Sequence, residues 1–142
     1  LALERCDLVL LADLVEHVPH PKQFLEGLRP AKQIVMLVPL ESGWIADAIH
    51  YYRRLVGKPT THETCGHLHR WNRGTALRLI RSAGLHVLAL DVRKWKWTQY
   101  TTWRGRLYGG LSNALYRAWP WLHQRLFGGY ALLALCWANR GS

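Results

Sequence analysis

The stretch CDLVLLADLVEHVPHP, residues 6–21, decides the fold of this chain. Its apolar run LVLLA at 8–12 stands directly before Asp13, and prolines at positions 19 and 21 close the stretch. A short apolar run that ends in turn-forming residues is typical of a strand buried on both faces of a parallel sheet. Because ligands of open parallel sheets bind beyond the carboxyl ends of the strands, residues 12–17 are expected to face a site.

The residues that follow extend this strand into a parallel unit. PKQFLEGL at 21–28 predicts a short helix with proline in its first turn and an apolar face of Phe24, Leu25 and Leu28. QIVMLV at 33–38 predicts a second buried strand that Pro39 ends. Strand, helix and strand in this order form a βαβ unit, so the chain is expected to have an α/β fold.

A second informative stretch, HETCGHLHRWNRGTALRLIRSAG, occupies residues 62–84. Asn72 is a favoured residue before the first turn of a helix, and Gly84 is favoured just after the last turn. An apolar stripe between them predicts a helix that packs on a sheet. Further strands are expected at 85–92 and 130–138.

These two stretches resemble class I S-adenosylmethionine-dependent methyltransferases, especially the small-molecule enzymes of types 11 and 23. The family pattern D-x-L-x-x-x-D-x-L-E-H-x-x-D-P is matched at Asp7, Leu8, Asp13, Glu16, His17, Val18, Pro19 and Pro21. The later pattern G-H-x-x-x-[FW]-[ST]-x-x-x-L-x-x-L-L-x-x-A-G-[FL] is matched at Gly66, His67, Trp71, Leu77, Ile80, Ala83, Gly84 and Leu85. Val15, His20 and Asn72 depart from the usual residues.

The resemblance implies the C-terminal half of a Rossmann-like methyltransferase sheet, with strands four to seven and an antiparallel last strand between the fifth and sixth. Residues 1–142 would be a partial methyltransferase domain with a lid-like insertion at 42–66 and an amphipathic helical insertion at 99–127. The chain opens on Leu1, and the family's Gly-rich turn and ribose-binding acid have no counterpart in it. We therefore expect a fragment that is inactive or incomplete by itself.

The resemblance also implies which residues form the site. Ala12, Asp13 and Leu14 would lie beside S-adenosylmethionine, mostly through backbone and packing. His17 is a candidate general base on the acceptor side, because imidazole titrates near neutral pH, and Glu16 would orient it or face the acceptor. The alternatives are a local hydrogen bond for His17 and a favourable first-turn charge for Glu16.

A second group of candidate residues lies at 67–71. By resemblance, His67 would be a further catalytic candidate, and His69, Arg70 and Trp71 would line the acceptor side. The alternative is that these side chains anchor their loop through hydrogen bonds.

Zinc is a competing interpretation of His62, Cys65, His67 and His69, because histidine and cysteine are zinc ligands. Their spacing, H-x2-C-x-H-x-H, differs from that of the usual structural zinc sites. Alternate residues of an extended segment rarely converge on one ion. We therefore predict no metal site from the sequence.

Charge divides the chain into two unlike parts. Residues 1–50 hold four Lys/Arg against seven Asp/Glu, whereas residues 51–142 hold fifteen against two, together with seven of the eight tryptophans. This pattern favours an anionic partner such as a membrane surface, a phosphorylated substrate or nucleic acid, or else is a solvated basic face. Nucleic acid is not an expected partner, because no nucleic-acid-binding motif occurs and the basic residues are dispersed among apolar positions.

Residues 103–127 carry an amphipathic pattern. Leu107, Leu111 and Leu115 recur every four residues, and Pro120 predicts the start of a second short helix. We favour packing of this stripe on its own domain. The alternative is an interfacial helix on a membrane, which is compatible with a lipid as acceptor. A non-enzymatic, basic, Trp-rich module that binds a membrane is accordingly the alternative function.

Location and association follow from simpler features. Three cysteines, odd in number and far apart, argue against a disulfide framework. The longest late apolar run, 130–138, is far shorter than the roughly 20 residues that cross a bilayer. We expect a cytoplasmic protein, with peripheral membrane contact as an option. The free edge of the first strand is expected to favour self-association.

Overall fold

A computed structural model describes residues 6–94 and 103–138. Its centre is a four-stranded sheet with the order β1-β2-β4-β3. The strands are β1 (Leu8–Ala12), β2 (Gln33–Leu40), β3 (Leu85–Lys94) and β4 (Tyr130–Ala138). β1 pairs with β2 in parallel, and β4 lies antiparallel between β2 and β3. The α/β class and the antiparallel insertion of the last strand are thus confirmed.

The described residues form seven helical segments. They are a 3₁₀ helix (Val15–His17), α1 (Pro21–Gly27), α2 (Trp44–Leu55), α3 (Thr61–Thr64), α4 (Arg73–Ser82), α5 (Trp103–Ala118) and α6 (Pro120–Phe127). Pro120 occupies the first position of α6, as predicted. None of the helices in the described ranges has the length and apolar content that would be needed to cross a membrane.

The two ends of α4 have the predicted chemistry. Asn72 Oδ1 accepts a hydrogen bond from Thr75 N at 2.9 Å, and Thr75 Oγ1 accepts one from Asn72 N at 2.9 Å. This reciprocal pair satisfies two backbone donors of the first turn. Gly84 follows the helix with a φ of 74°, which a residue without Cβ adopts at low cost.

The prediction that Pro39 ends the second strand is wrong, because β2 continues through it to Leu40. Gln33 N donates to Asp7 O, so Gln33 and every second residue after it direct their backbone groups towards β1. The pairing with β1 ends at Leu37. Pro39 therefore lacks its N–H where the neighbouring strand has already ended, and no ladder hydrogen bond is lost.

The hydrophobic core lies on one face of the sheet. Ile34, Met36 and Leu132 are fully buried there against Leu25 of α1 and Ile80 of α4. These side chains share one strand parity, as expected for a sheet that is covered on that face.

The prediction that the first strand is buried on both faces is wrong for the described residues. Leu8 and Leu10 are 54% and 67% exposed, because β1 is an edge strand whose outer face no described element covers. Leu133 and Trp137 of β4 are exposed too. The position of β1 at an edge of the described sheet agrees with the free edge predicted for the first strand.

The preferred packing of the 103–127 stripe is also wrong for two of its leucines. Leu107 and Leu111 of α5 remain 59% and 64% exposed. The helix pair instead turns polar side chains inward, since Ser112 and His123 are buried.

Gly128 joins α6 to the sheet. Its φ is 62°, and a Cβ at this position would lie 2.6 Å from the Glu41 carbonyl oxygen. Gly129 N donates to Leu40 O at 2.8 Å. The close approach places the α6–β4 turn beside the carboxyl end of β2.

Candidate functional site

The carboxyl ends of the parallel strands β1 and β2 lie side by side at one edge of the sheet. Asp13 follows β1 with a φ of 47°, the only positive φ of a non-glycine residue in the described ranges. Its backbone N donates to Leu37 O at 3.2 Å. Aspartate tolerates this left-handed conformation better than most residues, and it turns the chain sharply into the 3₁₀ helix. Ala12 and Leu14 are exposed on either side of the turn.

Backbone hydrogen bonds fasten the loop after α3 to this turn. The Glu16 carbonyl accepts from Leu68 N at 2.8 Å and from His69 N at 3.2 Å. His69 Nε2 lies 2.9 Å from the Val18 carbonyl oxygen, to which it donates. With the bond from His17 Nδ1 to the Gly66 carbonyl, four hydrogen bonds hold together the two segments that carry the candidate site residues.

Two histidines face each other across this junction. His17 Nδ1 donates to the Gly66 carbonyl at 3.0 Å, and His67 Nδ1 lies 2.9 Å from Glu41 Oε1. The two rings meet edge to face with centroids 4.8 Å apart. Each ring is thus oriented through its Nδ1 atom, and a ring that donates from Nδ1 carries its lone pair on Nε2.

Glu16 completes the cluster from beneath. Its side chain is 0% exposed, and neither carboxylate oxygen accepts a hydrogen bond from another described residue. Desolvation raises the pKa of this carboxyl above its usual value, and the charge of Asp13 adds to that rise. The residue's own backbone N–H, His67 and His17 oppose it. Ligand atoms of Glu16, His17 and His67 all lie within 4.8 Å of one another.

Arg70 and Trp71 connect the loop to its surroundings. Arg70 Nη2 lies 2.8 Å from Asp47 Oδ1 of α2 and donates to the Glu41 carbonyl at 3.4 Å. Trp71 forms a parallel bridge with Leu40, and its carbonyl accepts from Ser42 N at 3.1 Å. Both residues therefore hold the loop against β2 and α2.

The structure brings together three of the residues that the sequence singled out, Glu16, His17 and His67. The His69 ring forms a hydrogen bond with the Val18 carbonyl, which anchors the loop. His17 bonds the Gly66 carbonyl and not Glu16, so the expected orientation of His17 by Glu16 is absent.

The four residues of the zinc interpretation do not form one described group. His67 lies with Glu16 and His17, whereas Cys65 is exposed and His69 is turned to Val18. The side chain of His62 lies outside the described residues.

Sequence reasoning missed Glu41 as a site residue. It follows β2 directly, at the sheet edge where Asp13 follows β1, and its carboxylate faces His67. The rule that parallel strands present ligand-facing residues at their carboxyl ends was the signal that could have found it.

Comparison with family models and with curated proteins finds no match. Solved structures do match. A candidate methyltransferase from Bacillus halodurans C-125 has a TM-score of 0.56 and 16% identity, over 94% of this chain and 64% of that one. A second match is a chain of the Haloferax volcanii complex between the Trm112 methyltransferase activator and a candidate methyltransferase. Its TM-score is 0.52 at 18% identity, over 96% of this chain and 55% of that one.

A third match is Haemonchus contortus phosphoethanolamine N-methyltransferase 2 in complex with S-adenosyl-L-methionine. Its TM-score is 0.50 at 10% identity, over 96% of this chain and 34% of that one. The chain thus spans less than two thirds of each of these three proteins. Identities this low show a shared fold alone. The described residues have part of the Rossmann-like fold of class I S-adenosylmethionine-dependent methyltransferases.

Proposed function

We propose that this chain takes part in methyl transfer from S-adenosylmethionine to a small-molecule or lipid acceptor. The observation that carries the proposal is the sheet: two parallel strands end beside a polar cluster, and an antiparallel last strand is inserted between β2 and β3. A similar fold occurs in a candidate methyltransferase of solved structure, and residues that follow parallel strands usually face the ligand, which supports a role in the site for Glu16, His17 and His67.

The turn after β1 suits one wall of a cofactor pocket. Ala12 and Leu14 present exposed apolar surface, and the left-handed conformation of Asp13 carries the backbone aside between them. S-adenosylmethionine, when bound, supplies a methyl group on a sulfonium. The residues of this wall would hold it by packing, and the chain's own contribution is position and exclusion of water.

The histidine pair supports the acceptor side of the proposal. The lone pair of His17 is directed from Nε2, because Nδ1 is engaged by the Gly66 carbonyl. At that atom His17 would accept a proton from an acceptor hydroxyl or amine, and His67, held by Glu41, would orient the same acceptor. Residues 42–66, tied to the loop through the Arg70–Asp47 ion pair, would cover it as a lid.

Calorimetric titration with S-adenosylmethionine and with its demethylated product tests the proposal. The titrations use residues 1–142 and any longer form that the gene encodes. Saturable binding with 1:1 stoichiometry by at least one form is the expected result. Binding by neither form would contradict methyl transfer.

A pair of matched variants locates the cofactor wall. Leu14→Asp places a charge beside the turn and is expected to weaken binding at least tenfold. Leu111→Asp makes the same change on the exposed surface of α5 and is expected to leave the affinity unchanged. Equal affinities of the two variants would exclude Ala12, Asp13 and Leu14 as the wall.

A second candidate function is docking on an anionic membrane surface. Trp44 of α2 and Trp121 of α6 are 67% and 61% exposed, and the Arg125 guanidinium lies 5.8 Å from the centre of the Trp44 ring. Exposed tryptophans beside arginines are typical of proteins that lie in a membrane interface. Such a surface would bring a lipid acceptor to the proposed site.

Co-sedimentation with vesicles of anionic and of zwitterionic phospholipid tests this second candidate. Binding to the anionic vesicles alone is expected, with at least a tenfold loss in Trp44→Ser/Trp121→Ser. Trp137→Ser is the control, because Trp137 is exposed at the opposite end of the sheet. Absence of sedimentation, or an equal loss in the control, would remove the membrane role.

A further inference from the structure

We propose that Glu16, His17 and His67 form a binding site for a divalent transition-metal ion, with zinc as the best-fitting example. The three residues come from two segments far apart in sequence, the 3₁₀ helix after β1 and the loop after α3. The inference goes beyond methyl transfer and does not depend on it, since it rests on the contacts of these side chains.

Distances between the three groups are close to those of a bound ion. One ring nitrogen of each histidine and one carboxylate oxygen of Glu16 all lie within 4.8 Å of one another. Ligands about 2.1 Å from a tetrahedral zinc ion are about 3.4 Å apart. Binding of an ion would therefore require changes in the side-chain torsion angles of these residues.

The buried carboxylate of Glu16 is the second, independent observation. It is 0% exposed and accepts no hydrogen bond from another described residue, which is a costly state for a carboxyl group. A cation bound to its oxygens would supply the missing interaction. The nearby charge of Asp13 would favour a cation further.

Both histidines have the outer contacts that metal-binding histidines have. Nδ1 of His17 donates a hydrogen bond to the Gly66 carbonyl, and Nδ1 of His67 lies 2.9 Å from Oε1 of the Glu41 carboxylate. In metalloproteins the ring nitrogen away from the ion donates to such a carbonyl or carboxylate, which fixes the tautomer and orients the ligand nitrogen. The hydrogen bonds from Leu68 N and His69 N to the Glu16 carbonyl then keep the ligands together.

The donor set selects the class of ion. Two imidazoles with one carboxylate suit zinc and neighbouring divalent transition metals, whereas magnesium and calcium prefer oxygen ligands. Three protein ligands leave a coordination position for water or for an oxygen of a small molecule. A bound ion would change the proposed role of His17 and His67 from proton acceptor and orienting group to ligands.

Competition between the chelator-treated protein and a chromophoric zinc indicator, without S-adenosylmethionine, tests the inference. One zinc ion per chain is expected to bind with a dissociation constant in the micromolar range or below. Co²⁺ loading is expected to give visible absorption bands of a site with nitrogen and oxygen ligands.

Variants identify the ligands. Glu16→Gln, His17→Ala and His67→Ala are each expected to weaken zinc binding at least 100-fold, and Glu41→Gln about 10- to 100-fold through the orientation of His67. Cys65→Ser and His86→Ala, exposed potential ligands outside the cluster, are the controls and are expected to retain the affinity. Circular dichroism checks that each variant is folded, and Glu16→Gln keeps the size of the side chain.

Two outcomes would overturn the metal site: no stoichiometric zinc binding by the parent chain, or an affinity that any of the three ligand variants leaves unchanged. Because no methyl donor is present, neither outcome bears on methyl transfer. Conversely, failure to bind S-adenosylmethionine leaves the zinc measurement intact.

Discussion

Two histidine clusters in this molecule differ in whether their buried polar atoms have hydrogen-bond partners. In the first, at the carboxyl edge of the sheet, Glu16 is fully buried and its carboxylate oxygens accept no hydrogen bond from other described residues. In the second, between α5, α6 and β4, His123 is 2% exposed and both of its ring nitrogens are paired. The Glu16 oxygens thus lack partners among the other described residues, whereas the His123 nitrogens have theirs within the chain.

The second cluster forms a continuous hydrogen-bonded chain. The Tyr130 hydroxyl donates to the Pro120 carbonyl at 3.2 Å and accepts from His123 Nδ1 at 2.8 Å. His123 Nε2 therefore accepts from the Ser112 hydroxyl at 2.6 Å. A neutral histidine in this tautomer satisfies every member, so the cluster serves to join two helices to the sheet. The contrast shows that the buried Glu16 carboxylate, unlike the His123 ring, has no hydrogen-bond partner among the other described residues, and this difference supports the proposed metal site.

Removal of the His123 ring is expected to change the free energy of unfolding most. His123→Ala would leave a cavity and two hydroxyls without their partner, with a loss of about 4 kcal/mol in the free energy of unfolding. Urea denaturation measures it. His86→Ala, an exposed histidine on β3, is the matched control and is expected to change stability by less than about 0.5 kcal/mol. Similar losses in both variants would contradict a structural role for the cluster.

The pH dependence of stability follows from the same ring. Burial, with a smaller contribution from the charge of Lys94, lowers the pKa of His123 to about 4. The unfolded chain, with an ordinary histidine pKa near 6.5, binds more protons between these values, so stability falls as the pH falls. The expected loss between pH 7 and pH 4 is roughly 3 kcal/mol from this group.

Urea denaturation at a series of pH values checks this dependence, with His123→Asn as the comparison. The variant keeps a polar side chain but cannot titrate, so its curve is expected to be flatter by that amount. Parallel curves for the parent chain and the variant would assign the acid sensitivity to other groups.

Replacement of Glu16 in the first cluster is expected to raise the stability of the chain, whereas replacement of His123 lowers it. Glu16→Met replaces a buried carboxyl by an apolar side chain of similar length and would raise the free energy of unfolding by about 1.5 kcal/mol in the presence of a chelator. Glu26→Met, on the part-exposed surface of α1, is the control and is expected to have little effect. A loss of stability in Glu16→Met would mean that the carboxylate has a partner in solution.

The same contrast explains how far the sequence could be interpreted. Elements with local signals were predicted: Asn72 and Gly84 bracket α4, Pro120 starts α6, and the apolar runs are strands. The exposure of Leu10 and Leu111 was not predicted. Apolar periodicity shows which face of an element is apolar, but it does not show whether another element covers that face.

The members of the candidate site could be proposed from the sequence, but the contacts between them could not. Glu16, His17 and His67 stand out in the motifs, yet their grouping depends on backbone bonds across about fifty residues, such as Leu68 N to Glu16 O. Long-range pairing of this kind leaves no periodic signal in a single sequence. The burial of His123 was missed for the same reason, since its partners Ser112 and Tyr130 lie on two other elements.

The smallest expected change in stability tests whether the two clusters are independent of each other. Tyr130→Phe removes the hydroxyl that joins His123 to the Pro120 carbonyl, with an expected loss of about 1 kcal/mol. Because Ser112 and Tyr130 bond the same ring, the double variant Ser112→Ala/Tyr130→Phe is expected to lose measurably less or more than the sum of the single losses. Neither change touches Glu16, so zinc affinity should stay constant while stability falls. Additive losses would show that Ser112 and Tyr130 do not act through the same ring, and a zinc affinity that falls with Tyr130→Phe would show that the two clusters are coupled.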